Sequence, residues 1–169
     1  LVAIELSAVN RHTPIVKTLL LPDEAATRGF ARALALAQGL ANAFVALHGD
    51  LGTGKTTLVR HLLEGLGVTG RIKSPTYAVV ESYELPAFNI WHFDFYRFND
   101  PQEWEEAGFR DIFASSGLKL AEWPEKAATL LPPADIDLHL TTHNTSESAR
   151  MATLTANTPL GAGLLEALA

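Results

Sequence analysis

The sequence predicts a single α/β domain: a mixed, mostly parallel sheet that includes an antiparallel hairpin, with helices on both faces. Three observations predict it. The 169-residue chain is 47% hydrophobic and 19% charged, enough apolar mass for one core and too little charge for wholesale disorder. Apolar runs of strand length alternate with segments of helical period along most of the chain. Residues 76–84 and 88–95 are rich in β-formers and flank the turn Leu85-Pro86-Ala87, which makes them an antiparallel pair.

The elements follow in order. Residues 1–16 read as an N-terminal extension without clear period, and 17–169 as the domain. Residues 17–21 are a short apolar strand ended by Pro22. Asp23 is placed to cap a helix over 25–41, where Ala and Leu dominate. Residues 44–48 form a buried strand that runs into a Gly-rich turn, and 55–66 form a helix with Leu58, Leu62 and Leu66 on one face and Gly67 as its stop. After the hairpin, Asp100 caps and Pro101 opens a helix to about 106. Residues 109–114 make a second short helix, broken by Gly117. A strand over 118–121 ends at Glu122-Trp123-Pro124, and a short helix over 125–131 is stopped by Pro132-Pro133. In 135–142 the alternation of Ile136, Leu138 and Leu140 marks a strand, followed by a polar turn, a weaker strand over 150–156 and a terminal helix over 160–168. Trp91, Phe93, Phe95 and Phe98 are expected in the core, while Trp104 fits core or surface.

Composition narrows the function. Nineteen acids against thirteen Lys plus Arg leave a net charge of −6, which argues against gripping nucleic acid by bulk electrostatics. The absence of Cys excludes disulfide scaffolds, zinc–thiolate sites and iron–sulfur clusters. No apolar stretch reaches membrane-spanning length, and Leu1–Ser7 carries Glu5 with no basic segment, so the expectation is a cytoplasmic protein without a signal peptide and without membrane contact.

Gly49-Asp50-Leu51-Gly52-Thr53-Gly54-Lys55-Thr56 fits the pattern G-x-x-x-x-G-K-[ST] at every fixed position, between an apolar strand and an amphipathic helix. Glycines let the backbone curl so that N–H groups point at phosphate oxygens, and the helix adds its positive end. Lys55 is placed to reach the β and γ phosphates, and the Thr56 hydroxyl to ligate Mg²⁺. The expected fold is therefore a P-loop NTPase-like domain that binds nucleotide through Asp50, Leu51, Gly52, Thr53, Gly54, Lys55, Thr56 and Thr57. Such a site also needs an acid near the metal and the attacking water, at the end of a neighbouring strand. Asp94 and Glu122 both end apolar runs: one can bind Mg²⁺ and the other orient the water. Asp50 is a further candidate, able to reach over the γ-phosphate or serve as a plain turn former. Ser74-Pro75-Thr76 reads as a Pro-fixed turn or as a loop whose Thr76 hydroxyl senses the γ-phosphate. His92 is expected as a core histidine bonded to backbone rather than a metal ligand, and Trp123 as a wall of the nucleotide pocket. The chain has no N-K-x-D stretch to read guanine and no Arg-rich lid of the kind small-molecule kinases carry.

The P-loop, then Lys73-Ser74-Pro75-Thr76-Tyr77, His92-Phe93-Asp94-Phe95-Tyr96-Arg97, Gly108-Phe109-Arg110-Asp111 and Glu122-Trp123-Pro124, in this order and spacing, closely resemble the bacterial TsaE (YjeE) family. The resemblance covers roughly residues 21–140. It implies a small Mg²⁺-dependent ATPase, weak alone, that serves threonylcarbamoyladenosine modification of tRNA. Its partner is implied to be the TsaB–TsaD complex, with tRNA met only through that complex. Carried over by position, Thr56 and Glu122 hold Mg²⁺, Asp94 activates water or supports the metal, Ser74 and Thr76 form a switch loop, and Glu24 approaches the nucleotide; with Lys55 of the P-loop, Asp94 is the expected catalytic residue. Near the C-terminus Glu147 stands where family members can place a basic residue, with Arg150 three positions on. A small-molecule kinase and a non-hydrolytic nucleotide-sensing subunit are the alternatives.

Overall fold

The structure, a computed structural model, describes residues 14–168. Its strands are β1 (Ile15–Leu21), β2 (Phe44–His48), β3 (Val80–Glu84), β4 (Asn89–Asp94), β5 (Leu118–Glu122), β6 (Ile136–Thr142) and β7 (Arg150–Ala156). Its helices are α1 (Glu24–Leu36), α2 (Lys55–Gly65), α3 (Pro101–Glu106), α4 (Phe109–Ala114) and α5 (Pro159–Ala167). All the strands join one sheet in the order β1-β7-β6-β2-β5-β4-β3. The central strands β6, β2, β5 and β4 pair in parallel. The outer pairs β1–β7, β6–β7 and β3–β4 are antiparallel. Because β1 opposes β7 and β7 opposes β6, β1 runs in the same direction as the central four. The mixed, mostly parallel sheet with its hairpin is as the sequence predicts.

The burial patterns explain the order. β5 is buried at every position and β2 at all but its last, as strands covered on both faces must be. β6 alternates, with Ile136, Leu138 and Leu140 buried and the intervening residues wetter. α1, α2 and α5 cover one face, where Leu34, Leu58, Leu62 and Leu164 join Val45, Leu47, Leu120 and Leu138 in an aliphatic core. The opposite face is aromatic: Phe93, Phe95, Phe98, Trp104 and Phe109 pack together, so Trp104 belongs to the core.

The parallel register sets the site. Leu47 of β2 and Asp94 of β4 both pair with Glu122 of β5, so the carboxyl ends of these strands open at one edge of the sheet. Among the described residues no helix is long and apolar enough to cross a membrane.

Several boundaries differ from expectation. β1 starts at Ile15, which pairs with Ala156. The remainder of the expected extension, residues 1–13, lies outside the described residues. α1 stops at Leu36 rather than 41, because Ala37 turns extended and Gly39 takes φ 96°. Helical propensity there yields to the need to bury Leu40 and Ala43 at the entry to β2. β3 starts at Val80 rather than 76: the Val79 N–H closes a turn over 76–78 onto the Pro75 carbonyl at 2.8 Å, while the Val79 carbonyl already accepts from the Asp94 N–H of β4 at 2.8 Å. The helix expected over 125–131 is one 3-10 turn, Pro124–Ala127, entered through Trp123 at φ 54°.

Candidate functional site

The loop after β2 is shaped by its glycines. Gly52 and Gly54 hold φ 81° and 97°, a region that a Cβ disfavours. The first backbone bond closed by α2 runs from the Leu58 N–H to the Gly54 carbonyl, at 2.9 Å. The N–H groups of Lys55, Thr56 and Thr57 lie ahead of it, on residues that line a cleft of about 430 Å³. Gly54 has no side chain to cap them. These donors and the helix dipole make the cleft floor suited to an anion.

Lys55 is only 5% exposed although it is a lysine. Its ammonium donates to the Gly49 carbonyl, donates to the Asp50 carbonyl at 3.1 Å, and sits 4.2 Å from the centre of the Trp123 ring. Burial pushes its pKa down, opposed by the carboxylates of Glu122, Glu125, Asp94 and Asp50. Trp123 reaches that place through its left-handed backbone, a strain that sequence propensity does not anticipate.

Opposite Lys55 stand the strand-end acids. Glu122 is 2% exposed. Its Oε1 accepts a hydrogen bond from the Thr56 hydroxyl at 2.8 Å, and its Oε2 lies 2.6 Å from His92 Nε2. Asp94, also buried, accepts from the Tyr96 N–H at 3.0 Å. Burial raises its pKa above the ordinary value, with the Glu122 charge adding; the Tyr96 N–H, His92 and Lys55 pull it back. A carboxylate with raised proton affinity is a better base than an exposed one. The donor set fits Mg²⁺: a hydroxyl and a carboxylate oxygen side by side at the mouth of α2 are hard ligands of the kind Mg²⁺ takes together with phosphate oxygens and water.

The structure brings Leu51, Gly52, Thr53, Gly54, Lys55, Thr56, Thr57, Thr76, Asp94, Glu122 and Trp123 into this one cleft. Three expected residues stand elsewhere. Asp50 is exposed and lines a neighbouring depression with His139 and Thr141, offering Lys55 its carbonyl. Ser74 is exposed and pairs its hydroxyl with that of Thr76 at 2.8 Å. Glu24 opens α1, lies 3.1 Å from His61, and lines a smaller cavity of about 140 Å³ with Gly54, Thr57 and Arg150.

Three residues named in the sequence without a site role stand at or beside the cleft. Arg150 lines the cleft and donates from Nε to the Thr53 carbonyl at 2.7 Å, so β7 braces the P-loop. Tyr96 also lines the cleft, its ring 5.0 Å from Trp123, and Arg97 stacks over Tyr77 at 4.7 Å. Tyr96 and Arg97 follow Asp94 directly within the quoted motif, and Arg150 stands three positions from the place where family members can carry a basic residue; those were the signals available. His92 is buried as expected, but its partner is the Glu122 carboxylate and not backbone.

Comparison with known proteins gives one answer. The family model described as "Threonylcarbamoyl adenosine biosynthesis protein TsaE" matches residues 21–152. The chain is 46% identical over 123 residues to the tRNA threonylcarbamoyladenosine biosynthesis protein TsaE of Haemophilus influenzae, covering 73% of this chain and 76% of that one. It is 39% identical over 122 residues to the protein of the same name from Rickettsia typhi, covering 71% and 83%. The crystal structure of Bacillus subtilis YdiB superposes with a TM-score of 0.69 at 26% identity, over 93% of this chain and 96% of that one.

Proposed function

The chain belongs to the TsaE family of threonylcarbamoyl adenosine biosynthesis proteins, and from that premise we propose that it is a cytoplasmic Mg²⁺-dependent ATPase serving threonylcarbamoyladenosine modification of tRNA with the TsaB–TsaD complex. The observation that carries the ATPase reading is the convergence, in one cleft, of the P-loop, buried Lys55, the Thr56–Glu122 pair and Asp94. The net charge of −6 favours meeting tRNA through partners rather than directly.

In this reading the loop N–H groups and Lys55 hold the triphosphate, and Trp123 walls the pocket beside Lys55. Thr56 and Glu122 hold Mg²⁺. When bound, Mg²⁺ offsets negative charge on the phosphate oxygens. Asp94, whose burial raises its proton affinity, orients the attacking water and accepts its proton. Thr76, which lines the cleft and shares a hydrogen bond with Ser74, responds to the terminal phosphate.

The test is genetic and chemical together. Deleting the protein should lower threonylcarbamoyladenosine in bulk tRNA, and the parent chain should restore it while Asp94→Asn does not. Unchanged modification in a clean deletion overturns the pathway role. Full restoration by Asp94→Asn, with turnover abolished in vitro, leaves a nucleotide sensor in place of an ATPase.

A further inference from the structure

Glu122 is gripped from two sides. Its Oε1 takes the Thr56 hydroxyl at 2.8 Å, and its Oε2 meets His92 Nε2 at 2.6 Å in a pair whose side chains are 1% and 3% exposed. In the parallel register His92 pairs with Leu120 and Asp94 with Glu122, which puts His92 and Glu122 diagonally across one face of the sheet. An ionised carboxylate only accepts, so this contact makes Nε2 the protonated ring nitrogen. The other ring nitrogen, Nδ1, is buried with no hydrogen-bond partner among the described residues. The Nε2–H of His92 is thus the donor that holds Glu122 Oε2.

We infer that His92 is the positioning residue of the metal site: its Nε2–H fixes the Glu122 carboxylate so that Oε1 is presented beside the Thr56 hydroxyl. A glutamate side chain turns about three bonds, and a ligand oxygen is effective only while it stays in one arrangement. Thr56 alone leaves the other oxygen untethered. His92 supplies the second anchor from a neighbouring strand. This inference rests on the proposed role of Glu122 as Mg²⁺ ligand.

The atom that matters can be isolated. The Gln side-chain nitrogen stands where Nε2 stands in His, whereas the Asn nitrogen stands where Nδ1 does and falls short of Glu122. His92→Gln, His92→Asn and His92→Leu are compared with the parent and with Glu122→Gln. Each full chain is saturated with a non-hydrolysable ATP analogue and titrated with Mn²⁺, binding being read from the loss of the free-ion EPR signal. Thermal melts identify variants that do not fold.

The expected result is near-parental Mn²⁺ affinity for His92→Gln, and a weakening of about tenfold or more for His92→Asn and His92→Leu. If Glu122→Gln weakens Mn²⁺ binding but His92→Asn does not, positioning by His92 is overturned while the ligand role of Glu122 stands. Equal losses in His92→Gln and His92→Asn overturn it too, since the Nε2 donor would not be what matters. If Glu122→Gln leaves Mn²⁺ affinity at the parental value, the ligand role itself falls and the inference with it. Should His92→Leu not fold, the Gln and Asn pair decides.

Discussion

In the proposed function the loop between β2 and α2 offers the ligand its backbone: the N–H groups before Leu58, on a chain bent by Gly52 and Gly54, with Leu51 68% exposed. The ends of β4 and β5 offer side chains instead: Asp94 and Glu122, both buried, each held by specific hydrogen bonds. The loop owes its form to a contiguous stretch of sequence. The acids owe theirs to strand register and to residues far along the chain. A backbone site binds wherever its local conformation survives, whereas a buried carboxylate changes behaviour with each neighbour it gains or loses. Binding and chemistry are thus separable within one cleft, and substitutions on the two sides should fail differently.

The largest effect is expected at Asp94. Asp94→Asn should lower turnover by about a hundredfold or more at saturating ATP and Mg²⁺, the scale of losing a general base, with ATP affinity little changed. Calorimetry beside steady-state kinetics checks this. If affinity falls as far as turnover, the two halves of the cleft are not separable.

Lys55→Ala comes next. A charge-assisted contact to phosphate is worth on the order of 2 kcal/mol, so ATP affinity should drop roughly tenfold or more. Because Lys55 carries its charge against a desolvation cost, the variant should melt no lower than the parent. Parental ATP affinity would remove Lys55 from the phosphate site.

Arg150→Ala tests whether the loop is as self-sufficient as its local sequence suggests. It removes the brace to the Thr53 carbonyl without touching the pattern residues. A loss of about threefold to tenfold in ATP affinity is expected, since one half-exposed charged hydrogen bond is worth near 1 kcal/mol. No loss would mean the loop holds its shape unaided.

The smallest effect is on stability. The folded-state pKa of Asp94 is raised, so ionising it opposes folding. That penalty is absent below the unfolded pKa, grows as pH rises, and is complete above the folded pKa. Asp94→Asn should therefore melt about 2–4 °C higher than the parent at neutral pH, with the gap closing under acid conditions. Melting curves at several pH values measure it, and a gap that widens in acid would reverse the assigned shift.

The aliphatic side of the fold was legible because its signals are periodic and local: Leu58 and Leu62 fall on one helix face, and Ile136, Leu138 and Leu140 on one strand face. Residues 76–79 were not, because β-rich composition does not register that Val79 bonds back to Pro75 at 2.8 Å and takes φ 67°. The 3-10 turn at Pro124–Ala127 was likewise hidden by the unexpected left-handed conformation of Trp123.

By itself the sequence determined the P-loop, its flanking strand and helix, and the candidacy of Asp94 and Glu122 as strand-end acids. Those features depend on neighbours within a turn or a strand, where backbone preference and periodicity act. Tertiary structure alone decided that Glu122 faces Thr56 across 66 residues and His92 across 30, and that Arg150 braces Thr53 across 97. It also turned Asp50 away from the cleft lining and kept Ser74 off it, hydrogen-bonded to Thr76. The physical reason is that a side chain's partners at such separations are set by strand order and register, which arise from burying both faces of the sheet at once and leave no mark in the residues nearby.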